Sequence, residues 1–317
     1  MCFVKYPEIE NTYRQKFIDK FTSLYPELVK VRYIITEKIH GSNIQLIFRP
    51  HKPLKVASRN RILSEKEDFF GVWNVLEEME DIICNCQQYV DEQSEENSFR
   101  LFGEICGPKI QKGVYYGEER RILFFDAMIG DQLIAPKDFF FLKHLLDLPI
   151  VPYFDTVHSL QEALDFPIER PSEVVDPKEY PDNICEGIVI KPYQRVYFNK
   201  VGQVFYLKKK NEKFKERQRV KKKIQEGSSE VIQLNLEFRN YITEERVQSI
   251  FSKEGVIQKP QEIGKYIKLV LEDAKKDFKK DFGDKIKHLE KKELKKVFNV
   301  GSQIVKILDK YLKRNID

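Results

Sequence analysis

Short runs of β-branched and aromatic residues, broken by Gly, Pro, Asn and Asp, fill the chain up to about residue 220. Residues 32–39, 43–49, 121–128, 186–193 and 203–209 each predict a strand. Longer stretches with helical spacing fall at 68–86 and 137–148. Strands and helices do not alternate regularly, and neither GxGxxG nor GxxxxGK[ST] occurs, so a doubly wound nucleotide-binding sheet is not expected. Beyond about residue 225 the pattern changes. Ile263, Ile267, Val270, Leu271 and Ala274, then Val297, Ile304, Ile307, Leu308 and Leu312, recur at helical spacing, and no proline follows Pro260. The expectation is a mixed domain over 1–224 and a smaller helical one over 225–317. A lysine-rich run at 208–223 and the break at Gly227-Ser228-Ser229 separate them.

Composition narrows the classes. With 41% hydrophobic and 12% aromatic residues in 317, the chain can bury a sizeable core. Its 55 basic residues nearly balance 50 acidic ones, so the net +5 only hints at a polyanionic partner, and local clustering matters more. The five cysteines, at irregular spacings without a CxxC or Cys/His zinc pattern, read as free thiols in a reducing compartment, with no zinc site expected. The amino-terminal segment has no apolar signal region, and no apolar run approaches the ~18 residues of a bilayer span. An intracellular or virion-associated protein without membrane contact is expected, cytoplasm and nucleus remaining open.

Candidate chemistry begins at Lys38, between two predicted strands and three residues before Gly41. A lysine there suits a nucleophile, and the glycine would let the backbone turn closely about a nucleotide α-phosphate. Alone, this spacing equally suits a surface lysine before a turn. Four further elements follow in order: Phe102-Gly103-Glu104, Phe124-Phe125-Asp126, Glu186-Gly187-Ile188-Val189-Ile190-Lys191, and Lys208-Lys209-Lys210. Each has a bland reading of its own, as core phenylalanines, exposed acids beside glycines, or a solvated charge run. Five in sequence are much harder to attribute to accident.

The series KxxG, SR, FGE, FFD, EGIVIK and KxK resembles the motif set of the covalent nucleotidyltransferases: DNA ligases, RNA ligases and mRNA capping enzymes. The wording around it, KIHGSN (38–43), EDFFG (67–71), FGEICGPKIQKGV (102–114), EGIVIKP (186–192) and KKKNEKF (208–214), resembles the RNA ligase 2 family. That family includes a bacteriophage double-strand RNA ligase and the trypanosome RNA-editing ligases. The resemblance covers residues 30–220, and GPKIQK is its most specific stretch. It implies an α+β nucleotidyltransferase domain with antiparallel sheets around an ATP cleft, then a smaller all-helical domain; residues 225–317 themselves match no motif, and their helical, lysine-rich character is what points to RNA binding.

The implied function is ATP-dependent joining of 3′-hydroxyl and 5′-phosphate RNA ends, at a nicked duplex or at free ends, in RNA repair or editing. The intermediates would be lysyl-AMP and AppRNA. Lys38 would attack the α-phosphorus of ATP. A free lysine titrates near ~10.4, so neighbouring cations, Lys208 and Lys210 with a bound divalent metal, would favour its neutral form and later neutralise the phosphate. The metal would be magnesium or manganese, held by Glu186 directly or through water, with Asn43 behind it. Glu104 would accept from the ribose hydroxyls, Phe125 would stack on adenine, and Arg59 would meet the ribose or a 5′-phosphate. Glu37 and Ile39 would flank the nucleotide, Glu37 more through its backbone than its carboxylate. His40, Lys191 and Lys213 are the candidates for phosphate or RNA contacts; a histidine at position 40 departs from DNA ligases and agrees with RNA ligase 2 relatives. The alternatives are a DNA ligase or an mRNA capping guanylyltransferase, both of which would need a downstream OB-fold of short strands rather than helices. A monomer is expected.

Overall fold

The computed structural model describes residues 3–92, 98–215, 230–257 and 259–314. Contacts divide the chain into two compact units, 1–211 and 212–317. The join expected at 224/225 lies in 216–229, outside the described residues.

The first unit holds two five-stranded sheets. Its strands are β1 (Glu10–Asn11), β2 (Tyr33–Glu37), β3 (Ser42–Arg49), β4 (Lys52–Ser58), β5 (Phe99–Cys106), β6 (Arg121–Ile129), β7 (Gln132–Leu133), β8 (Tyr153–Val157), β9 (Gly187–Pro192) and β10 (Leu207–Lys210). One sheet runs β1-β10-β9-β2-β8 and the other β4-β3-β5-β6-β7. Every pairing is antiparallel except β1 with β10. The helices are α1 (Gln15–Leu24), α2 (Val72–Glu77), α3 (Glu80–Asp91), α4 (Pro136–Leu145) and α5 (Leu160–Asp165).

Alternation along the strands decides what each sheet shows to which side. Tyr33, Ile35, Ile188, Ile190 and Leu207 of the first sheet pack with Ile18 and Phe21 of α1 and Leu160 and Ala163 of α5. Ile44, Leu46, Phe48, Leu101 and Phe124 of the second sheet pack with Val72, Val75 and Leu76 of α2, Cys86 and Val90 of α3, and Phe139 and Leu142 of α4. The intervening positions, Lys38, Lys191, Lys208 and Lys210 on one side and Asn43, Phe102 and Glu104 on the other, therefore point away from the helices. Phe102 and Met128 join Val204, Tyr206 and Tyr6 in a small cluster between the sheets. The site is built where the two helix-free faces meet.

Two predicted elements come out differently. The single helix expected over 68–86 is split into α2 and α3, and it starts late because Phe70 and Gly71 take positive φ values (53° and 66°), which no helix can include. The strand expected over 203–209 shrinks to Leu207–Lys210. Ahead of it, Asn199 accepts from the amides of Val201 and Gln203 (3.1 and 2.9 Å), so its side chain, in place of a ladder, organises the turn. Gly187 shows why the sheet needs glycine there: its φ is +153°, and an added Cβ would lie 2.0 Å from the Lys209 carbonyl oxygen. Gly187→Ala is expected to destabilise the unit by about 3 kcal/mol through strain and overpacking, measured by urea unfolding; an unchanged midpoint would contradict the close strand approach.

Every described element of the second unit beyond 215 is helical: α6 (Glu230–Arg239), α7 (Glu244–Glu254), α8 (Ile263–Ile286), α9 (Lys291–Val297) and α10 (Gly301–Arg314), with a short turn of helix at Pro260–Glu262. Val270, Ala274, Val297, Ile304 and Leu308 fall in one core, as their periodicity predicts, and Ile263, Ile267, Leu271 and Ile307 pack on it. The side chain of Leu312 lies outside the described residues. Arg246 is buried among these apolar groups, and it is tolerable there because Asp273 and Asp277 neutralise it. No described helix is long and apolar enough to cross a membrane.

Candidate active site

Three basic side chains converge on one carboxylate. Lys38 follows β2 directly, and its amide donates to the Gly187 carbonyl at 2.9 Å, which fixes the end of β2 against the start of β9. Its Nζ lies 2.7 Å from Glu186 Oε2, Lys210 Nζ lies 2.9 Å from Oε1, and His40 Nδ1 lies 3.4 Å from Oε2. Glu186 is buried (2% exposed). Burial would raise its carboxyl, but Lys210, Lys38 and His40 together overcome this and hold it well below the ordinary carboxylate range. The strand alternation sorts the three consecutive lysines. Lys210 reaches Glu186, and Lys208 shares its side of β10. Lys209 turns to the opposite side and donates to the carbonyls of Leu164 and Phe166 (2.8 and 3.0 Å).

Gly41 has a reason for being glycine in the strand pairing itself. A Cβ there would stand 2.3 Å from the Ile105 carbonyl oxygen and 2.9 Å from Glu104 Cγ, so the residue lets β3 begin tight against β5. That approach sets Asn43 opposite Glu104 across the pairing. Asn43 donates to the Gly103 carbonyl at 3.4 Å. Among the described residues no group hydrogen-bonds the Glu104 carboxylate. Burial pushes it up to about 7, with Lys38 pulling it down and Glu186 pushing it further up. A half-buried acid held this way is suited to accept from ligand hydroxyls. Arg59 stands nearby, its guanidinium 5.9 Å from the Tyr6 ring centroid, and burial lowers its titration despite Tyr6, Glu8 and Glu104.

The remaining expected residues are placed less simply. Glu37 is buried, and its carboxylate accepts from Ser172 Oγ (2.7 Å) and the Glu173 amide (2.9 Å). It is spent on that loop rather than presented to the cleft, and burial pushes it up to about 7 against those two bonds. Ile39 is buried with Cys106, Tyr116, Leu123 and Val151. Phe125 meets Tyr6 edge-on at 5.1 Å. Lys191 corrects an expectation: it is 4% exposed and donates to Asp126 (2.8 Å) and to the Phe125 carbonyl (2.7 Å), so it is not offered to RNA. A buried ammonium needs a counter-charge, and Asp126, which also accepts from Tyr6 at 2.5 Å, supplies it across the two sheets. Lys213 belongs to the second unit, exposed, over the Phe214 ring.

Tyr6, Ser172 and Tyr116 were missed in the sequence. Tyr116, whose hydroxyl accepts the His40 amide at 2.7 Å, lies in the GPKIQK loop, whose specificity was the only signal available. Among the described residues no group of three or more His, Cys, Asp or Glu forms a ligand cage. One ionised carboxylate fits a hard divalent ion that keeps its waters and takes further oxygens from phosphates.

The fold is that of the nucleotidyltransferase-type ligases, two antiparallel sheets enclosing a lysine and its carboxylate. Residues 31–221 match the RNA ligase family, and residues 222–310 match the T4 RNA ligase 2 C-terminal family. The chain belongs to the RNA ligase family, in its RNA ligase 2 branch. Among solved structures it is similar to Naegleria gruberi RNA ligase with PPi, at 20% identity and a TM-score of 0.50, over 67% of this chain and 57% of that one. A mutant of that ligase with ATP and Mn gives 19% identity and a TM-score of 0.50 over 68% and 58%. At these identities the likeness speaks for the fold, and the chain spans less than three-fifths of the ligase it matches.

Proposed function

We propose that the protein is an ATP-dependent ligase that joins RNA 3′-hydroxyl and 5′-phosphate ends through an adenylate on Lys38. The observation that carries this reading is Lys38 Nζ at 2.7 Å from Glu186, with Lys210 on the other carboxylate oxygen, in a chain of the RNA ligase family. The Naegleria ligase of similar fold is described with ATP and Mn, which supports the same nucleotide and ion type here.

Lys38 leaves Glu186, gives its proton to solvent and attacks the α-phosphorus of ATP; the N–P bond forms and pyrophosphate departs with the electrons of the broken P–O bond. Lys208 and Lys210 then face the charge developing on the α-phosphate oxygens, Lys210 turning to it from Glu186. Glu186 is the residue that would hold magnesium or manganese, which when bound supplies positive charge to phosphate oxygens. Glu104 orients the ribose, Phe125 covers the adenine, and Arg59 meets the ribose or the 5′-phosphate. An oxygen of the RNA 5′-phosphate next displaces Lys38 from phosphorus, giving AppRNA. The 3′-hydroxyl then attacks that 5′-phosphorus and AMP leaves, each displacement depending on in-line placement. Residues 212–317 engage the RNA in this scheme, since Lys291, Lys292, Lys295 and Lys296 of α9 are all exposed. Broken ends are the substrate, so the setting is RNA repair or editing.

A DNA ligase or capping guanylyltransferase built with an OB-fold is disfavoured, because every described element past Lys215 is helical. Incubation with α-labelled ATP or GTP and either metal tests the reading. A denaturation-resistant AMP adduct that passes its label to 5′-phosphorylated RNA is expected. Labelling by GTP alone moves the protein to the capping class, and no adduct with either nucleotide defeats the reading.

A further inference from the structure

The loop between β5 and β6, which carries the most specific stretch of the sequence, has no part in the scheme above. It leaves at Gly107 and returns after Gly117, both with positive φ (124° and 97°). Its two consecutive tyrosines do different things. Tyr115 is clamped by its backbone: its amide donates to Asn183 Oδ1, and Asn183 Nδ2 donates back to its carbonyl, both at 2.7 Å. Asn183 lies three residues before Glu186, so this end of the loop is fastened to the segment that delivers the carboxylate.

Tyr116 turns the other way and is 3% exposed. Its ring packs with Ile39, Cys106, Leu123 and Val151. Its hydroxyl oxygen accepts the His40 amide at 2.7 Å. The two residues that follow Lys38 are thus gripped by one side chain, Ile39 through the ring and His40 through the oxygen. The His40 amide lies in the turn between β2 and β3, outside either ladder, and a half-buried N–H there needs an acceptor. Phenylalanine would fill the same apolar space, so packing alone does not call for the hydroxyl.

We propose that Tyr116 is a positioning residue for the nucleophile: its hydroxyl holds the His40 amide, and with it the Lys38–Gly41 turn, in the geometry that adenylyl transfer needs. The loop then has a purpose, since it ties the nucleophile's turn at Tyr116 and the carboxylate's segment at Tyr115 into one rigid body. This assignment rests on the ligase reading above.

Tyr116→Phe separates it from a structural role. The ring is kept and only the acceptor is lost. At saturating ATP the single-turnover rate of AMP adduct formation is expected to fall about ten- to a hundredfold, the effect of orphaning one buried donor. The ATP concentration for half-maximal rate should change less than about threefold, because the Tyr116 hydroxyl is taken by the His40 amide and places Lys38 for attack instead of holding the nucleotide. Sealing of chemically pre-adenylylated RNA, which does not use Lys38 as nucleophile, should stay within about threefold of wild type. A wild-type labelling rate in Tyr116→Phe overturns the assignment while leaving the ligase reading intact. Equal loss in labelling and sealing, or loss of the folded protein, makes the tyrosine structural and also overturns it. No adduct on the wild-type protein removes the ligase reading and this assignment with it.

Discussion

Lys38→Ala is expected to form no covalent AMP adduct, a fall of at least about 10⁴-fold, the scale on which removing a catalytic nucleophile acts. The neighbouring lysines cannot take over. Lys210 is held at 2.9 Å by Glu186 Oε1, on β10, whereas Lys38 leaves the end of β2 on a segment fixed by the Gly187 carbonyl and by Gly41 against Ile105. A displacement at phosphorus needs its nucleophile in line and within about 3–3.5 Å, and a donor on another strand approaches from another direction. The variant should nevertheless seal pre-adenylylated RNA, because in that step the 3′-hydroxyl is the nucleophile and AMP the leaving group. A gel assay of both steps reads the two outcomes separately. An adduct that persists in Lys38→Ala would place the nucleophile elsewhere, with Lys208 and Lys210 the next lysines to replace.

What was legible in the sequence follows the physics of each segment. Strands such as 43–49 and 121–128 are short runs of β-branched and aromatic residues, buried along nearly their whole length, so they were found nearly to the residue at Ser42–Arg49 and Arg121–Ile129. Strand alternation explains why Lys208 and Lys210 lie on one side of β10 while Lys209 goes to the other, a distinction that motif spacing already implied. The apolar periodicity of the second unit was equally readable, because its helices bury one stripe each. Less legible were features that depend on backbone conformation: the positive φ of Phe70 and Gly71 that shortened a helix, and the Asn199 turn that replaced a strand. Roles that depend on long-range pairing were not legible at all. Lys191 reads as one more phosphate lysine until Asp126, 65 residues away, is seen to hold it. Glu37 was expected to act more through its backbone than its carboxylate, but Ser172, 135 residues away, could not be named as the group that takes the carboxylate. Spacing encodes which side of a strand a residue occupies; it does not encode which distant partner arrives there.

Glu186→Gln should combine the second-largest loss of activity with a measurable loss of stability. The carboxylate is 2% exposed and meets Lys38, Lys210 and His40 at 2.7, 2.9 and 3.4 Å. A neutral amide takes its negative charge away from two half-buried ammonium groups and from the facing imidazole, at a cost of about 3 kcal/mol, the lower end for breaking a buried ion pair. Adduct formation should fall about 10²–10³-fold, as when a preorganised charge is lost from a phosphate site. The pH dependence identifies the cause. Because the folded protein holds Glu186 well below the ordinary 4.5, its stabilising contribution is present above about 4.5 and is lost as pH falls further. Glu37 and Glu104 act in the opposite sense. Both are raised to about 7, so they keep protons that the unfolded chain releases, and their contribution is full below about 4.5 and lost as pH rises through 7. Glu37 is common to wild type and variant and cancels, but Glu104, which the Glu186 charge pushes up, titrates lower in the variant, so the difference is read below about 4.5. There the gap in unfolding free energy between wild type and Glu186→Gln should narrow as pH falls. A gap that widens toward acid, or one that is absent at neutral pH, would mean that Glu186 is not the ionised centre on which the two lysines and the histidine converge.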